Sequence, residues 1–407
     1  MENPTTSIIP HIFLVVKGLT KNKMKICAII CEYNPFHNGH AYHIEIAKRL
    51  SGADAVLCLM SGNFVQRGET AILDKFTRAK HALLCGADAV IELPTVFATS
   101  NAELFAKGAV ALLSAIPEVT HLCFGAEHAD KEEFLSLARL LNDEPKELST
   151  AIKELTATGM SYAKAYATAC ERFTGGKSAT SPNDILGLEY AKAILRTNAN
   201  IELLPIPRQG SGYNERGLTG EFASATAIRE HVKTGEVQAT RPYLPEVVYE
   251  DLKLADTTNR LSIMERTAIL IKSKEDLRKI LDCTEGLENA FKGAAEKTDE
   301  FVKELTSARY TAARLRRIAL HNVLNIEETF IRNCLSSPLY LTPLAYKKDR
   351  TDLLSALSKA SIPFLSSGKQ IKALDGVAKR CYEKDEFAST LYDAITNTKT
   401  SNELVIV

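Results

Sequence analysis

Between residues 24 and 207, five apolar runs of four to six residues (26–30, 55–60, 89–92, 121–124 and 201–206) alternate with amphipathic stretches of ten to twelve residues. Those stretches lie at 40–50, 75–85, 103–114, 131–141, 147–156, 162–172 and 185–195. Short β-type runs spaced by helical segments build βαβ units, and the parallel sheet that results is covered on both faces. The expected class is α/β, a Rossmann-like domain with a parallel sheet, over residues 24–235. Ligands of such sheets bind beyond the carboxyl ends of the strands. The polar loops 32–40, 61–71, 93–102 and 125–128 should therefore share one rim. From residue 236 strand-like runs become rare, and charged amphipathic segments at 263–281, 286–305 and 312–324 dominate. Residues 236–407 read as a mainly helical second domain.

Bulk composition narrows the class of partner. The chain has 407 residues, enough for two or three domains. Lys plus Arg and Asp plus Glu both total 50, so the formal charge is zero and any nucleic-acid contact must be a local patch. Nine cysteines are scattered without a CxxC pair, which argues against a zinc framework and for a reduced, cytoplasmic protein. The apolar run 8–16 is broken by Pro10 and His11 and is too short to span a bilayer, so no membrane association is expected. Residues 1–23 are an extension without an assigned role, ahead of a plausible alternative start at Met24. Nothing in the pattern marks a protein partner or a dedicated metal cage.

The first strand candidate runs directly into Glu32-Tyr-Asn-Pro-Phe-His37-Asn-Gly-His40. Asn34, Pro35 and Gly39 make a turn, and a helix follows with His40 in its first turn. Two imidazoles three residues apart at a helix N-terminus can donate to one anionic group, with the free N–H groups and the helix dipole aimed at the same place. Such donors suit the charge that grows on an α-phosphate during in-line attack. A pair of ordinary histidines near a turn is the bland alternative; the strand–turn–helix context favours a nucleotide.

Other rim residues are individually weaker. Arg67 offers a planar fork for a carboxylate or phosphate, flanked by the neutral donors Asn63 and Gln66, although an ordinary polar loop reads equally well. Asp74 is an N-cap, and the basic pair Lys75 and Arg78 after it could face the site or, the usual outcome for such a pair, solvent. Gly125 ends the fourth strand and would let a nucleotide lie against the backbone. Asn183 either caps a helix or recognises ribose or base. Arg208 follows the fifth strand, with Gly210 and Gly212 beside it. Ser224 and Thr226 open a further helix as an N-cap, a second phosphate cradle, or both. Arg309, Arg314, Arg316 and Arg317, next to Tyr310, form the densest basic cluster. It reads as an RNA contact or, more often for such runs, a solvated helix face.

The string 32–40, together with 61–69, 74–78, 88–94, Phe124-Gly125, 181–183, 223–229 and Arg309-Tyr310-Thr311, resembles the bacterial tRNA(Met) cytidine acetate ligases, a branch of the HIGH-type nucleotidyltransferase superfamily. The likeness covers essentially residue 24 to the end. It implies an ATP-dependent ligase that turns acetate into acetyl-adenylate and passes the acetyl group to N4 of the wobble cytidine of elongator tRNA(Met), with Mg2+ carried in by ATP. It also implies an ATP segment made of Ile30, Cys31, Glu32, Tyr33, Asn34, Pro35, Phe36, His37, Asn38, Gly39, His40, Ala41, Tyr42 and His43. Within it His37 and His40 sit on the phosphates, while Gly125, Asn183 and Arg208 complete the site. The chain departs from the family pattern at Thr70, where Pro is usual, at Ala126, where Ser is usual, and at Ala308, where Lys is common. Two other functions stay open at this level: an adenylyltransferase that makes a dinucleotide, and a non-catalytic nucleotide- or RNA-binding protein.

Overall fold

A computed structural model describes residues 23–143, 145–160, 162–174, 181–208, 218, 222–400 and 403–407. Residues 1–22, with nearly all of the expected extension, and the glycines after Arg208 lie outside that set.

Five parallel strands form the heart of the sheet: β1 (Ile26–Cys31), β2 (Ala55–Ser61), β5 (Ala89–Leu93), β6 (Val119–Ala126) and β7 (Glu202–Pro207). A small antiparallel hairpin, β3 (Phe64–Val65) with β4 (Glu69–Thr70), stands apart from the sheet. The strand order is β7-β6-β1-β2-β5, continued beyond β5 by β8 (Thr342–Tyr346) and β9 (Val405–Ile406). The chain thus runs outward from β1 through β2 to β5, then returns to place β6 on β1's other flank. That reversal opens a crevice between the carboxyl ends of β1 and β6, the usual ligand position in open α/β sheets.

The parallel strands are apolar throughout because both faces are covered. Along β1 the residues divide by parity: Ile26 and Ala28 enter one core, Cys27 and Ile29 the other. Alternation along β2 does the same, with Leu57 and Leu59 on the first side and Val56, Cys58 and Met60 on the second. All five strands expected from the sequence are present, as are the seven helices between them, within one to three residues at each end.

The run from residue 236 behaves differently. It is largely helical, but β8 (Thr342–Tyr346) pairs antiparallel with β5, and β9 (Val405–Ile406) pairs with β8. Leu320, Leu324, Ile331, Tyr340, Leu353 and Tyr392 join the same core as Ile26 and Leu57. A separate small core gathers Ile269, Ile280, Phe291, Phe301, Leu315 and Ile318. The strand at 342–346 was hidden because it is five residues long and carries Pro343, which β-sheets tolerate only where no ladder N–H is needed. The expected long helices are also interrupted. Lys272 turns extended and Ser273 then caps a short new helix, accepting from the Asp276 N–H. Thr298 is extended between the helices Leu287–Lys297 and Phe301–Leu305.

Candidate active site

A cavity of about 280 Å3 lies over the carboxyl ends of β1, β6 and β7. The turn after β1 supplies Glu32, Tyr33, Asn34 and His37 to its wall, the helix that follows supplies Gly39, His40, Tyr42 and His43, and Ile30 and Cys31 reach it from the strand. Pro35, Phe36, Asn38 and Ala41 do not line it. Phe36 is fully buried in the core beneath. Asn38 donates from Nδ2 to the Pro242 carbonyl, 3.0 Å away. A turn and the helix behind it present only some successive side chains to one side, so the cavity wall takes ten of the fourteen residues from Ile30 to His43.

The helix Asn38–Ser51 begins two residues earlier than its apolar pattern suggests, with His37 as its N-cap in extended conformation. The His37 and His40 rings stack, their centroids 3.6 Å apart and their planes 23° from parallel. Gly39 between them leaves room for the ring: a Cβ there would lie 3.0 Å from His37 Cε1, so the imidazole would have to shift. The His37 backbone N–H donates to His40 Nδ1 at 3.2 Å. A neutral His40 must then carry its proton on Nε2, so it presents a donor rather than an acceptor. Tyr33 and Phe36 hold the same ring, with centroids 4.8 and 5.5 Å away.

These imidazoles are neutral at pH 7. Burial, with the Arg208 charge second, holds His37 down to about 3 and His43 to about 4. His40 is lowered by burial, then by His37, His43 and Arg208. His37 Nδ1 is shut off from solvent and has no hydrogen-bond partner. An uncompensated buried polar atom costs stability, and an anion in this cavity would compensate it.

Cationic groups complete the enclosure. Arg67, Arg208 and Arg229 line it together with Gln66, Gly125, Asn183, Ser224 and Thr226. Gly125 faces Arg208 closely, for a Cβ there would lie 3.1 Å from Arg208 Cγ. Ser224 caps the helix Ala225–Lys233, accepting from Ala227 N–H at 3.1 Å, and so presents a second helix N-terminus to the cavity. The N-cap reading of Ser224 is the one observed. Thr226 accepts from Arg229, whose guanidinium also reaches the Asn34 carbonyl. Asn183 is not the cap of its helix; Ser181 is, and Asn183 donates to Glu127 at 2.8 Å. Glu32 accepts the Gln66 N–H at 2.8 Å, and burial raises its pKa.

Two groups near the site do work the sequence did not disclose. Arg78 is fully buried, not in solvent, and its guanidinium donates to the carbonyls of Glu32, Ser61, Gly62 and Leu73. It thereby ties the ends of β1 and β2 together. Lys75 is buried too, in an ion pair with Glu92 at 2.8 Å. Asn63 lies under the site rather than in its wall and accepts the Lys75 N–H at 2.7 Å. Glu69, Tyr190 and Arg229 line the cavity without having been singled out. Arg229 carried a signal, sitting three residues after Thr226 on one helix.

The arginine cluster does not form one face. Arg309 pairs with Glu285 at 3.0 Å, and Arg314 donates to the Asp282 carbonyl at 2.7 Å; both stand over the Tyr310 ring. Arg316 pairs with Glu69 of the hairpin at 2.5 Å. Arg317 is largely enclosed and its Nε has no partner. Among the described residues no three His, Cys, Asp or Glu side chains converge as a metal cage.

A family model described as HIGH Nucleotidyl Transferase matches residues 24–404. The tRNA(Met) cytidine acetate ligase of Thermoanaerobacter sp. (strain X514) is 38% identical over 382 residues, covering 91% of this chain and 95% of that protein. Its counterpart from Acetivibrio thermocellus is 37% identical over 392 residues, covering 91% and 94%. The crystal structure of Thermotoga maritima TmcAL (apo, form I) superposes with a TM-score of 0.87 at 31% identity, covering 94% of this chain and all of that one. The form bound with alpha-thio ATP gives 0.83 at 32% identity, with coverage of 92% and 95%.

Proposed function

The chain belongs to the HIGH nucleotidyl transferase family and, within it, to the tRNA(Met) cytidine acetate ligases, and from that premise we propose that it activates acetate with ATP and acetylates N4 of the wobble cytidine of elongator tRNA(Met). The observation that carries the chemistry is the His40 ring, held with Nε2–H as a donor beside a His37 whose Nδ1 has no partner, in a cavity where Arg67, Arg208 and Arg229 converge. Two helix N-termini add their dipoles.

In the first step an acetate oxygen attacks the α-phosphorus in line. The new P–O bond forms as the bond to pyrophosphate breaks, leaving acetyl-adenylate. His40 stabilises the charge on the α-phosphate as a preorganised neutral donor. Arg208 and the helix termini take the remaining phosphate charge, and the Arg67 fork suits the acetate carboxylate. Gly125 and Asn183 border the nucleoside end. Magnesium enters in this reading with ATP, held by phosphate oxygens and water. In the second step the cytidine amine attacks the acetyl carbonyl carbon and AMP leaves. Arg309 and Arg314, over Tyr310, offer the RNA a partly exposed contact, whereas Arg316 is spent on Glu69 of the hairpin.

No described helix is long and apolar enough to cross a membrane. All nine cysteines are free thiols, which agrees with work in the cytoplasm. The test is exchange of labelled pyrophosphate into ATP. Exchange that needs acetate, followed by acetyl transfer to elongator tRNA(Met), is the expected result; exchange without acetate, or none, overturns the reading.

A further inference from the structure

On the far side of the β3–β4 hairpin lies a second cavity, of about 860 Å3, closed by the helices Leu261–Ile271, Ala312–Leu324 and Gly376–Thr396. Glu69 and Arg229 line both cavities, so the hairpin is the partition between them. Its near face gives Val65, Gln66, Arg67 and Glu69 to the wall of the first cavity. Two residues per strand make too short a ladder to fix the hairpin's shape unaided. Its place is therefore set by what it touches.

Near-side anchors tie it to the turn after β1. Glu32 accepts the Gln66 N–H, and Asn34 Oδ1 accepts the Ile72 N–H at 2.8 Å. The Gln66 side chain also donates to the Ser100 carbonyl at 3.3 Å. Far-side anchors come from the chain after residue 236. Asn259 Nδ2 donates to Thr70 Oγ1 at 2.7 Å and the Tyr392 hydroxyl to the Ala71 carbonyl at 3.0 Å, and both hold the trailing end. Arg316 holds the tip, pairing at 2.5 Å with Glu69, two residues from Arg67. Gly68, with φ at +72°, lies against the backbone of the same helix. A Cβ there would stand 2.6 Å from the Arg317 nitrogen and 2.7 Å from the Arg316 carbonyl carbon. The tip thus sits directly on the helix, with no room for a side chain between them.

We propose that Arg316 is a positioning residue for acetate activation: by holding Glu69 it sets the hairpin tip, and so aims the Arg67 fork at the acetate carboxylate. This rests on the ligase reading above. It gives the helical region a part in the first half-reaction, separate from any contact with RNA. The two side chains of the pair are 39% and 30% exposed, and ion pairs open to water add little to global stability. Loss of the pair should therefore be felt at the site rather than in the fold. Orientation is what suffers there, because a misplacement of about 1 Å costs a reaction up to about 10²-fold.

The test is pyrophosphate exchange by the full-length enzyme without tRNA. Wild-type exchange that fails or ignores acetate overturns the ligase reading, and the proposal falls with it; in an enzyme that does exchange, the variants decide. Arg316→Ala should lower kcat/KM for acetate by about 10–10²-fold, with KM for ATP within about twofold of wild type and Tm unchanged. Glu69→Gln should give the same signature. Combined in one chain, the two losses should not add, because both substitutions remove the same interaction. Arg316→Lys, which keeps the charge, should recover most of the loss. Exchange at the wild-type rate in Arg316→Ala overturns the proposal. So do losses that add in the double variant, an equal loss toward ATP and acetate, or no recovery with lysine. Normal exchange with weakened tRNA binding would overturn it too, and would make Arg316 an RNA contact.

Discussion

The turn after β1 and the arginine cluster at 309–317 are both rich in polar side chains, yet the fold treats them in opposite ways. In the turn, polar atoms are buried and left without partners: His37 Nδ1 has none, and His40 Nε2–H is held as a donor into the cavity. In the cluster, Arg309, Arg314 and Arg316 are answered within the chain by Glu285, the Asp282 carbonyl and Glu69, with Arg317 Nε the exception. Arg78 is the extreme case, buried with four carbonyl partners. Unmet hydrogen-bonding capacity at a switch point marks a ligand site, and met capacity marks a support.

The comparison breaks most sharply at Arg78. Arg78→Met would leave four carbonyls unsatisfied and should cost about 3–5 kcal/mol in urea unfolding, the size seen when a buried, partnered charge is removed. A cost below about 1 kcal/mol would mean the clamp is not structural. His40→Ala should do the reverse. Pyrophosphate exchange should fall about 10²–10³-fold, the usual effect of removing one preorganised donor. Stability should move by no more than about 1 kcal/mol; wild-type exchange would refute the role.

A pH measurement sharpens the same contrast. The folded His37 refuses a proton until about pH 3, whereas an unfolded histidine takes one near 6.5. The unfolded state therefore binds more protons between those values, and stability must fall as the pH falls through that window. His37→Asn should show a smaller drop in Tm from pH 7 to pH 5 than wild type; an equal drop would assign the acid sensitivity elsewhere. Smallest is Arg309→Ala, whose side chain is 66% exposed. It should leave exchange unchanged, weaken tRNA binding by several-fold, and reduce the salt slope of binding by about one. An unchanged affinity and slope would return Arg309 to the solvated helix face.

Much of the site was legible because its signals are local. The strand before Glu32, the glycine between two histidines and the Ser224 cap are each read from neighbours in the chain. Lys75 and Arg78 were not, because whether a cation after an N-cap meets solvent or a buried partner depends on β5 and on the ends of β1 and β2. The surroundings of Asn63 are non-local in the same way: its loop was recognised, but that its Oδ1 accepts from the start of the next helix depends on the tertiary structure.

The sequence by itself determined the α/β alternation, the parity of the core along each strand, and the pair of imidazoles at a helix N-terminus, all consequences of periodicity and backbone preference over a few residues. Only the tertiary structure decided that residues 342–346 would extend the sheet, that Arg78 would be a clamp, and that a hairpin would stand between two cavities. Those outcomes turn on desolvation and pairing between groups tens to hundreds of positions apart, as Glu69 and Arg316 are, and no window along the chain contains both partners.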